Sequence, residues 1–343
     1  MTSAYQRRVR VHYPVGDGRL VLRTEHDWGR DLEPVDRGSL WADFEVQGGR
    51  SWLEYKPCLH REGGFFWSQG TNKLALLTGG GVIHVYPQFF GGLGGRISRV
   101  VGVPSAVLGR AVEVRLYLPA GYDENVLKRY PVLYMHDGRN LFFPEEAFLG
   151  REWQVDETLD RLDSMNLIDQ TIVVGVHTGD RVRDYTQPGY ESFGRALVED
   201  VRPWVDSRLR TLSGPENTGA MGSSLGGVLA FYLAWQWPDV FGRAACLSST
   251  FWYENDLIDR VLSEPLESRG RLRLYLDSGW PRDNYEATRA MANALLARGM
   301  ALGAQVVYFA FPLATHDEGA WSTRLHLPMQ SFSGKLRRRD WRV

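Results

Sequence analysis

From Val112 to Pro312 the chain alternates short, continuously apolar runs with longer segments of helical period. VEVRLYLP, PVLYMHDG, TIVVGV, RAACLS, LRLYLD and QVVYFAFP read as strands, and NTGAMG reads as one more. WQVDETLDRL, FGRALVEDVRPWVDSRL, LGGVLAFYLAWQW and YEATRAMANALLARG read as helices between them. A strand apolar on both sides needs cover on both sides. The alternation therefore predicts an α/β fold with a mostly parallel central sheet and helices on either face. Sheets of this kind carry their chemistry beyond the carboxyl ends of the strands.

Upstream the rhythm is different. RRVRVHY, RLVLRT, LWADFEV, SWLEYKP, GFFWSQ, KLALL and VIHVYP are short runs rich in β-branched and aromatic residues, separated by turn residues, with no helical period. They predict a small antiparallel β-sandwich, and FFGGLGGR, Phe89 to Arg96, is a linker by composition. The expected organisation is a sandwich over residues 1–93 and an α/β domain over residues 94–343.

Composition narrows the function classes. Hydrophobic residues at 43% and charged residues at 24% describe an ordinary globular chain, and a net charge of −1 gives nucleic acid no electrostatic footing. The basic start MTSAYQRRVRVHYP has no apolar segment behind it, so no signal peptide, no membrane span and a cytoplasmic location are expected. Cys58 and Cys246 are the two cysteines, too few and too far apart for a disulfide framework or a zinc site. His136 and Asp137 gather no further ligands around them, and the glycine-rich GVIHVYPQFFGGLGG contains no phosphate loop, so neither metal nor organic cofactor is expected. The terminal run KLRRRDWR, Lys335 to Arg342, reads as a solvated charge run.

The strongest chemical signal is GAMGSSLGGVLAFYLAWQWP, Gly219 to Pro238. Gly222-Ser223-Ser224-Leu225-Gly226 is a GxSxG pattern between a predicted strand and a predicted helix, where a strained turn displays a nucleophilic serine. With 37 glycines in the chain the bare match is weak, and its place between strand and helix gives it weight. Ser223 is chemically eligible, but only Ser224 has glycine two residues away on both sides.

A serine hydroxyl needs a base, and that base needs an orienting carboxylate. On an elbow of this type the acid and then the histidine follow the serine in the chain. Only His316 and His326 follow Ser224. His316 lies just past strand QVVYFAFP, whereas His326 falls in the closing helix and reads as a packed or surface residue. Asp277 and Asp283, both in LRLYLDSGWPRDN, qualify as the acid; Asp277 could brace the strand instead, and Asp283 could cap the next helix. Leu225 supplies one backbone N–H to an oxyanion, and Gly138 lets the loop after PVLYMHDG turn the N–H of Arg139 toward the same point.

Residues from about 98 to 334 resemble the esterase branch of the α/β-hydrolases that contains S-formylglutathione hydrolases, enterochelin esterases, feruloyl and acetylxylan esterases and bacterial mycolyltransferases. The resemblance rests on PVLYMHDGRNLF, RVRDYTQPG, GAMGSSLGGVLAFYLAWQWPDVFG with LSSTFWY, YLDSGWPRDN and HDEGAW. It implies an α/β-hydrolase fold, a triad of Ser224, Asp283 and His316, and oxyanion donors at Arg139 and Leu225. Arg139 stands where glutamine is usual, which adds a positive side chain near the mouth. Tyr185, Phe251 and Trp252 would border the substrate cleft by the same resemblance, against the plainer expectation that aromatics pack in cores. Arg183 reads as a surface partner of its neighbour Asp184.

LEYKPCL and FFWSQGTNKLALL are similar to the end of starch-binding-type carbohydrate modules, which implies sugar contacts from Lys56 and Trp67 with Asn72 nearby. TEHDWGRDLEPV departs from the leucine-glycine-tryptophan segment of that family, so a structural cap on the catalytic domain stands beside the sugar-binding expectation.

Taken together these features predict a serine carboxylesterase working through an acyl-enzyme on an acylated sugar or similar small ester. A siderophore lactone esterase or a thioesterase is the rival within the class. A glucan-binding adaptor without catalysis is the rival outside it, and the presence of all three triad residues argues against it.

Overall fold

A computed structural model describes residues 5–335, and the first ninety or so residues form nine strands. These are β1 (Tyr5–His12), β2 (Arg19–Thr24), β3 (Asp27–Leu32), β4 (Asp36–Arg37), β5 (Trp41–Gly48), β6 (Trp52–Arg61), β7 (Gly64–Trp67), β8 (Lys73–Leu76) and β9 (Val82–Val85). One sheet runs β4-β5-β1-β9; the other runs β3-β2-β6-β7, with β8 also on β6. Val9, Val11, Phe44 and Val46 from the first sheet meet Leu20, Leu22, Leu53 and Tyr55 from the second in a dry core, which is the expected sandwich. One seam differs from expectation. β1 and β9 pair in parallel, because the chain leaves the second sheet after β8 and returns beside β1 in the same direction. β3 and β4 are additions at sheet edges, where DWGRDL and DR need little burial and so carry no apolar alternation.

The central sheet begins at Arg96. It comprises β10 (Arg96–Ile97), β11 (Val101–Ser105), β12 (Arg110–Leu118), β13 (Val132–His136), β14 (Ile172–Val176), β15 (Thr218–Ser223), β16 (Arg243–Leu247), β17 (Arg273–Trp280) and β18 (Val306–Pro312). Its order is β10-β12-β14-β13-β15-β16-β17-β18, with β11 also on β12. Strands β13 to β18 pair in parallel, whereas β10, β11 and β12 add an antiparallel edge. The sheet is therefore mixed. The expectation of parallel strands holds for the half that carries the motifs.

Alternate residues feed two cores. Val132 and Tyr134 of β13 join Ile172, Val174 and Val176 of β14 on one face, while Leu133, Met135 and Val173 point to the other. The first face is covered by α3 (Gly189–Ala196), α5 (Leu225–Gln236) and α7 (Tyr285–Ala297); α5 is buried along nearly its whole length, as its continuous apolar sequence requires. The second face is covered by α1 (Val155–Ser164), α8 (Glu318–Arg324) and α9 (His326–Ser333). Helices α2 (Arg181–Tyr185), α4 (Arg202–Arg208) and α6 (Leu257–Ser263) complete the set. A π-helical turn, Leu197–Val201, joins α3 to α4 just ahead of Pro203, whose ring and missing N–H disfavour an ordinary turn there.

The sandwich is anchored to the loop after β12. Glu124 accepts the N–H groups of Phe89, Phe90 and Gly91 and the hydroxyl of Tyr13, and Asn125 donates to the carbonyls of His12 and Pro87. Among the described residues no helix is long and apolar enough to cross a membrane. The basic run beyond Lys335 lies outside the described residues.

Candidate active site

The turn between β15 and α5 displays Ser224 at φ 54° and ψ −122°, a strained conformation for a side-chain-bearing residue. Close crossing of strand and helix imposes it: a Cβ on Gly222 would stand 2.4 Å from the carbonyl of Gly226, so only glycine fits. Ser223 is 2% exposed inside the strand, while Ser224 is partly open at the turn. The backbone of Ser224 is tied to the end of β16, its N–H donating to Leu247 at 3.0 Å and its carbonyl accepting from Thr250 at 3.3 Å.

The next strands along the sheet bring the other two residues to this rim. His316, in the loop after β18, sets Nδ1 2.6 Å from Oδ1 of Asp283, in the loop after β17. Asp283 is fully buried, and His316 keeps about a third of its side chain open. The other carboxylate oxygen of Asp283 accepts from the Gly279 N–H at 2.6 Å and from Ser248 Oγ at 2.5 Å. It does not cap α7, whose first turn follows Asn284 without a side-chain cap. Asp277 does not meet His316; it is held by Arg324 Nε at 3.1 Å and the Tyr275 hydroxyl at 2.9 Å, and Arg324 Nη2 also lies 3.6 Å from Asp283. Burial pushes the Asp277 carboxyl up to about 6, against the pull of Arg324 and Tyr275.

Ser248 links these parts. Besides donating to Asp283 it accepts from Trp321 Nε1 at 2.9 Å and Arg324 Nη2 at 2.8 Å, and its carbonyl accepts from Asn284 at 2.8 Å. The Trp321 ring also meets His316 edge-on, with centroids 5.0 Å apart. Sequence reasoning missed Ser248, Trp321 and Arg324. The available signal was Trp321 and Arg324 three residues apart on one helix face directly after the HDEG segment. No hydrogen bond joins the Ser224 hydroxyl to His316 here; contacts of this kind are often long until substrate is present.

Opposite this network lies the loop after β13. Asp137 is left-handed (φ 59°, ψ 49°) and leads into a 3-10 turn over Gly138–Asn140. A Cβ on Gly138 would fall 2.4 Å from Cδ2 of His177 and 2.8 Å from the Gly175 backbone, which fixes glycine at this position. Below the loop, His136 and His177 are 1% and 4% exposed. Burial holds His136 down to about 3 and His177 down to about 4, so both rings are neutral at ordinary pH. Asn140 Nδ2 donates to Glu318 at 3.0 Å, joining this loop to the helix that follows His316. The Arg139 side chain is 66% exposed, with Glu113 its nearest carboxylate at 3.9 Å.

Tyr185 and Phe251, expected along a cleft, are instead 0% and 3% exposed. Tyr185 accepts the Asp137 N–H on its hydroxyl at 3.2 Å, and Phe251 packs edge-on against Phe231 with centroids 5.5 Å apart. They back the rim because their neighbours on α3 and α5 bury them. Trp252 is 67% exposed and, with Pro281, Arg282 and Asn284, lines a cavity of about 350 Å³ beside Asp283. Arg183 pairs with Asp184 at 3.0 Å.

On the sandwich, the cross-strand register places Arg23, Lys56 and Trp67 on the outer face of the second sheet. Trp67 stands 6.3 Å from Trp28 and 5.4 Å from Phe65, with the Arg23 guanidinium 5.1 Å from its ring. Lys56 Nζ donates to the Gly70 carbonyl at 2.7 Å and Asn72 Nδ2 to Glu54 at 3.1 Å, so both polar groups already have protein partners. Trp28 comes from the DWGRDL edge strand that sequence reasoning did not anticipate. Among the described residues no cluster of three or more His, Cys, Asp or Glu side chains is placed to hold a metal ion.

Residues 105–329, well over half of the chain, match the family model Esterase, described as "Putative esterase". Two curated relatives from Bacillus subtilis, the uncharacterized proteins YbbA and YjcH, are 26% and 27% identical over 145 and 144 residues. Those matches take in 41% and 40% of this chain but only 57% and 56% of the relatives. Among solved structures, a ferulic acid esterase aligns with 70% of this chain and 98% of its own at TM-score 0.59 and 17% identity. The enterobactin esterase FES from Shigella flexneri aligns with 96% of this chain and 93% of its own at TM-score 0.59 and 15% identity. An IroE-like serine hydrolase from Shewanella oneidensis covers 68% of this chain and 78% of its own at TM-score 0.55 and 21% identity. The chain thus carries an α/β-hydrolase fold and belongs to the Esterase family.

Proposed function

We propose that the protein is a serine carboxylesterase with Ser224 as nucleophile, His316 as base and Asp283 as orienting acid. The observation that carries this reading is the 2.6 Å contact of His316 Nδ1 with a buried Asp283, at the same sheet rim as a serine held at φ 54° on the strand-to-helix turn. Substrate binding brings the ester carbonyl carbon onto Ser224 Oγ while His316 Nε2 takes the hydroxyl proton. Charge that develops on the carbonyl oxygen is met by the N–H groups of Arg139 and Leu225, each worth about 3 kcal/mol in sites of this kind. His316 returns the proton to the departing alcohol, then activates the water that releases the acid. Asp283 keeps the proton of the neutral imidazole on Nδ1, and Ser248 with the Gly279 N–H keeps Asp283 in place.

Two substrate classes divide the observations. An acylated sugar or similar small ester suits the exposed Trp252 on the cavity beside Asp283 and the Trp28–Trp67 pair on the sandwich. A siderophore-type lactone is favoured by the fold likeness to FES, which runs over 96% of this chain and so takes in the sandwich as well as the central sheet. Rates with an aryl acetate, feruloyl esters, acetylated xylo-oligosaccharides and a catecholate trilactone, measured on the full chain and its Ser224→Ala variant, test both the chemistry and the class. Turnover that survives in Ser224→Ala rejects the serine mechanism. A kcat/KM for the trilactone far above that for the sugar esters rejects the sugar reading.

A further inference from the structure

Asp137 lies two residues before one proposed oxyanion donor, and its Oδ2 would stand 3.0 Å from a Cβ on Gly226, the residue after the other. Its carboxylate thus lies against the start of α5 while its backbone leads into the loop that carries the other donor. Left alone, a buried negative charge at that place would oppose the developing oxyanion and favour another loop conformation. The structure answers with three separate restraints on this one residue. Arg181 grips both carboxylate oxygens, Nε at 2.7 Å and Nη2 at 2.9 Å, in the paired geometry that only guanidinium supplies. The buried hydroxyl of Tyr185, one turn later on the same short helix, accepts the Asp137 N–H. The Asp137 carbonyl accepts the Asn140 N–H at 2.8 Å, closing the turn. Left-handed backbone at a non-glycine residue is strained, and these bonds hold it. Glu318, from the helix after His316, also acts on Arg181 through its charge, and it accepts from Asn140.

We propose that Arg181 and Tyr185 are positioning residues that clamp and neutralise Asp137, and thereby set the oxyanion loop at its working distance from the start of α5. The proposal rests on the esterase reading and adds a charge-compensation rule to it. Arg181 acts through Asp137 and need not touch substrate, although its side chain is 45% exposed. A contact with substrate would alter KM, whereas a clamp alters kcat.

The test is a cycle of Arg181→Gln, Asp137→Asn and the double variant on the full chain, with Ser224→Ala as reference. Steady-state hydrolysis of p-nitrophenyl acetate is read for kcat and KM separately, and thermal unfolding confirms folding. Arg181→Gln should lower kcat by roughly 30- to 100-fold, at or below the low end of the roughly 100- to 1000-fold loss for removing an oxyanion donor outright, because Arg181 acts through Asp137, with KM within about threefold. Adding Asp137→Asn to it should restore kcat at least tenfold, because the uncompensated carboxylate is gone, while Arg181→Lys recovers only part. Tyr185→Phe, which keeps the ring and loses the acceptor, should lower kcat in the same direction with unchanged KM. A double variant no better than Arg181→Gln overturns the clamp and leaves the esterase reading intact, as does an effect confined to KM. Turnover that persists in Ser224→Ala overturns both.

Discussion

His136 and His177 make the protein acid-sensitive in a defined window. Both rings are buried under the loop after β13, and burial lowers their folded-state values to about 3 and about 4 from 6.5. Because the folded value is the lower one, the unfolded chain binds the extra proton first as pH falls. The stability each ring contributes is complete above pH 6.5 and declines as pH drops toward the folded value. At pH 5 the unfolded imidazole is charged and the folded one still neutral. The gap of about 1.5 pH units then costs about 2 kcal/mol per histidine. Wild type alone does not isolate this, since Asp156 and Asp277, pushed up to about 7 and about 6, pull the opposite way over part of the same range. The informative quantity is the difference between wild type and His136→Gln, or His177→Gln, in urea unfolding at pH 7.5 and at pH 5.0. Each variant loses packing at both pH values but has no ring to protonate, so its stability deficit should shrink by about 2 kcal/mol at pH 5. A deficit that is the same at both pH values would refute the assignment of neutral, proton-excluding rings at these positions.

Other outcomes follow from the same geometry. Asp283→Asn should slow ester hydrolysis on the order of 10⁴-fold by presenting the wrong imidazole tautomer, whereas Asp277→Asn should cost less than tenfold in kcat and act mainly on stability; equal losses would put both acids in one catalytic unit. Gly138→Ala forces a methyl to within 2.4 Å of His177 and against the Gly175 backbone, so unfolding should shift by about 1–3 kcal/mol and hydrolysis should fall with it. On the sandwich, Trp28→Ala and Trp67→Ala should each release the full chain from amylose or xylan in affinity electrophoresis if the pair is a sugar platform; a wild-type chain that is not retarded at all removes that role.

The sheet, the elbow and the acid-histidine sequence were legible because each is written locally. Continuous apolar runs state that both faces are covered, and glycines flanking Ser224 state that strand and helix crowd there. Asp277 against Asp283 was not decidable from spacing, since both lie in one segment; the turn that carries Asp283 under His316 settles which of them touches the ring. Tyr185 and Phe251 looked like cleft residues and are interior, because an aromatic beside a site has no local mark that tells which way it faces. Ser248 and Arg324 escaped notice for a related reason: a buried polar network joins residues from β17, α8 and the segment just after β16, and no single stretch records it. The edge strands β3 and β4 were hidden by their polarity.

In this esterase reading one serine does the chemistry. Incubation of the folded full chain with a fluorophosphonate, followed by proteolysis and mass mapping, tests it directly. A single stoichiometric adduct on Ser224 is expected, blocked in Ser224→Ala and accompanied by loss of aryl acetate turnover. An adduct on Ser223 or Ser248 instead, or a fully labelled protein that still turns over substrate, would contradict it.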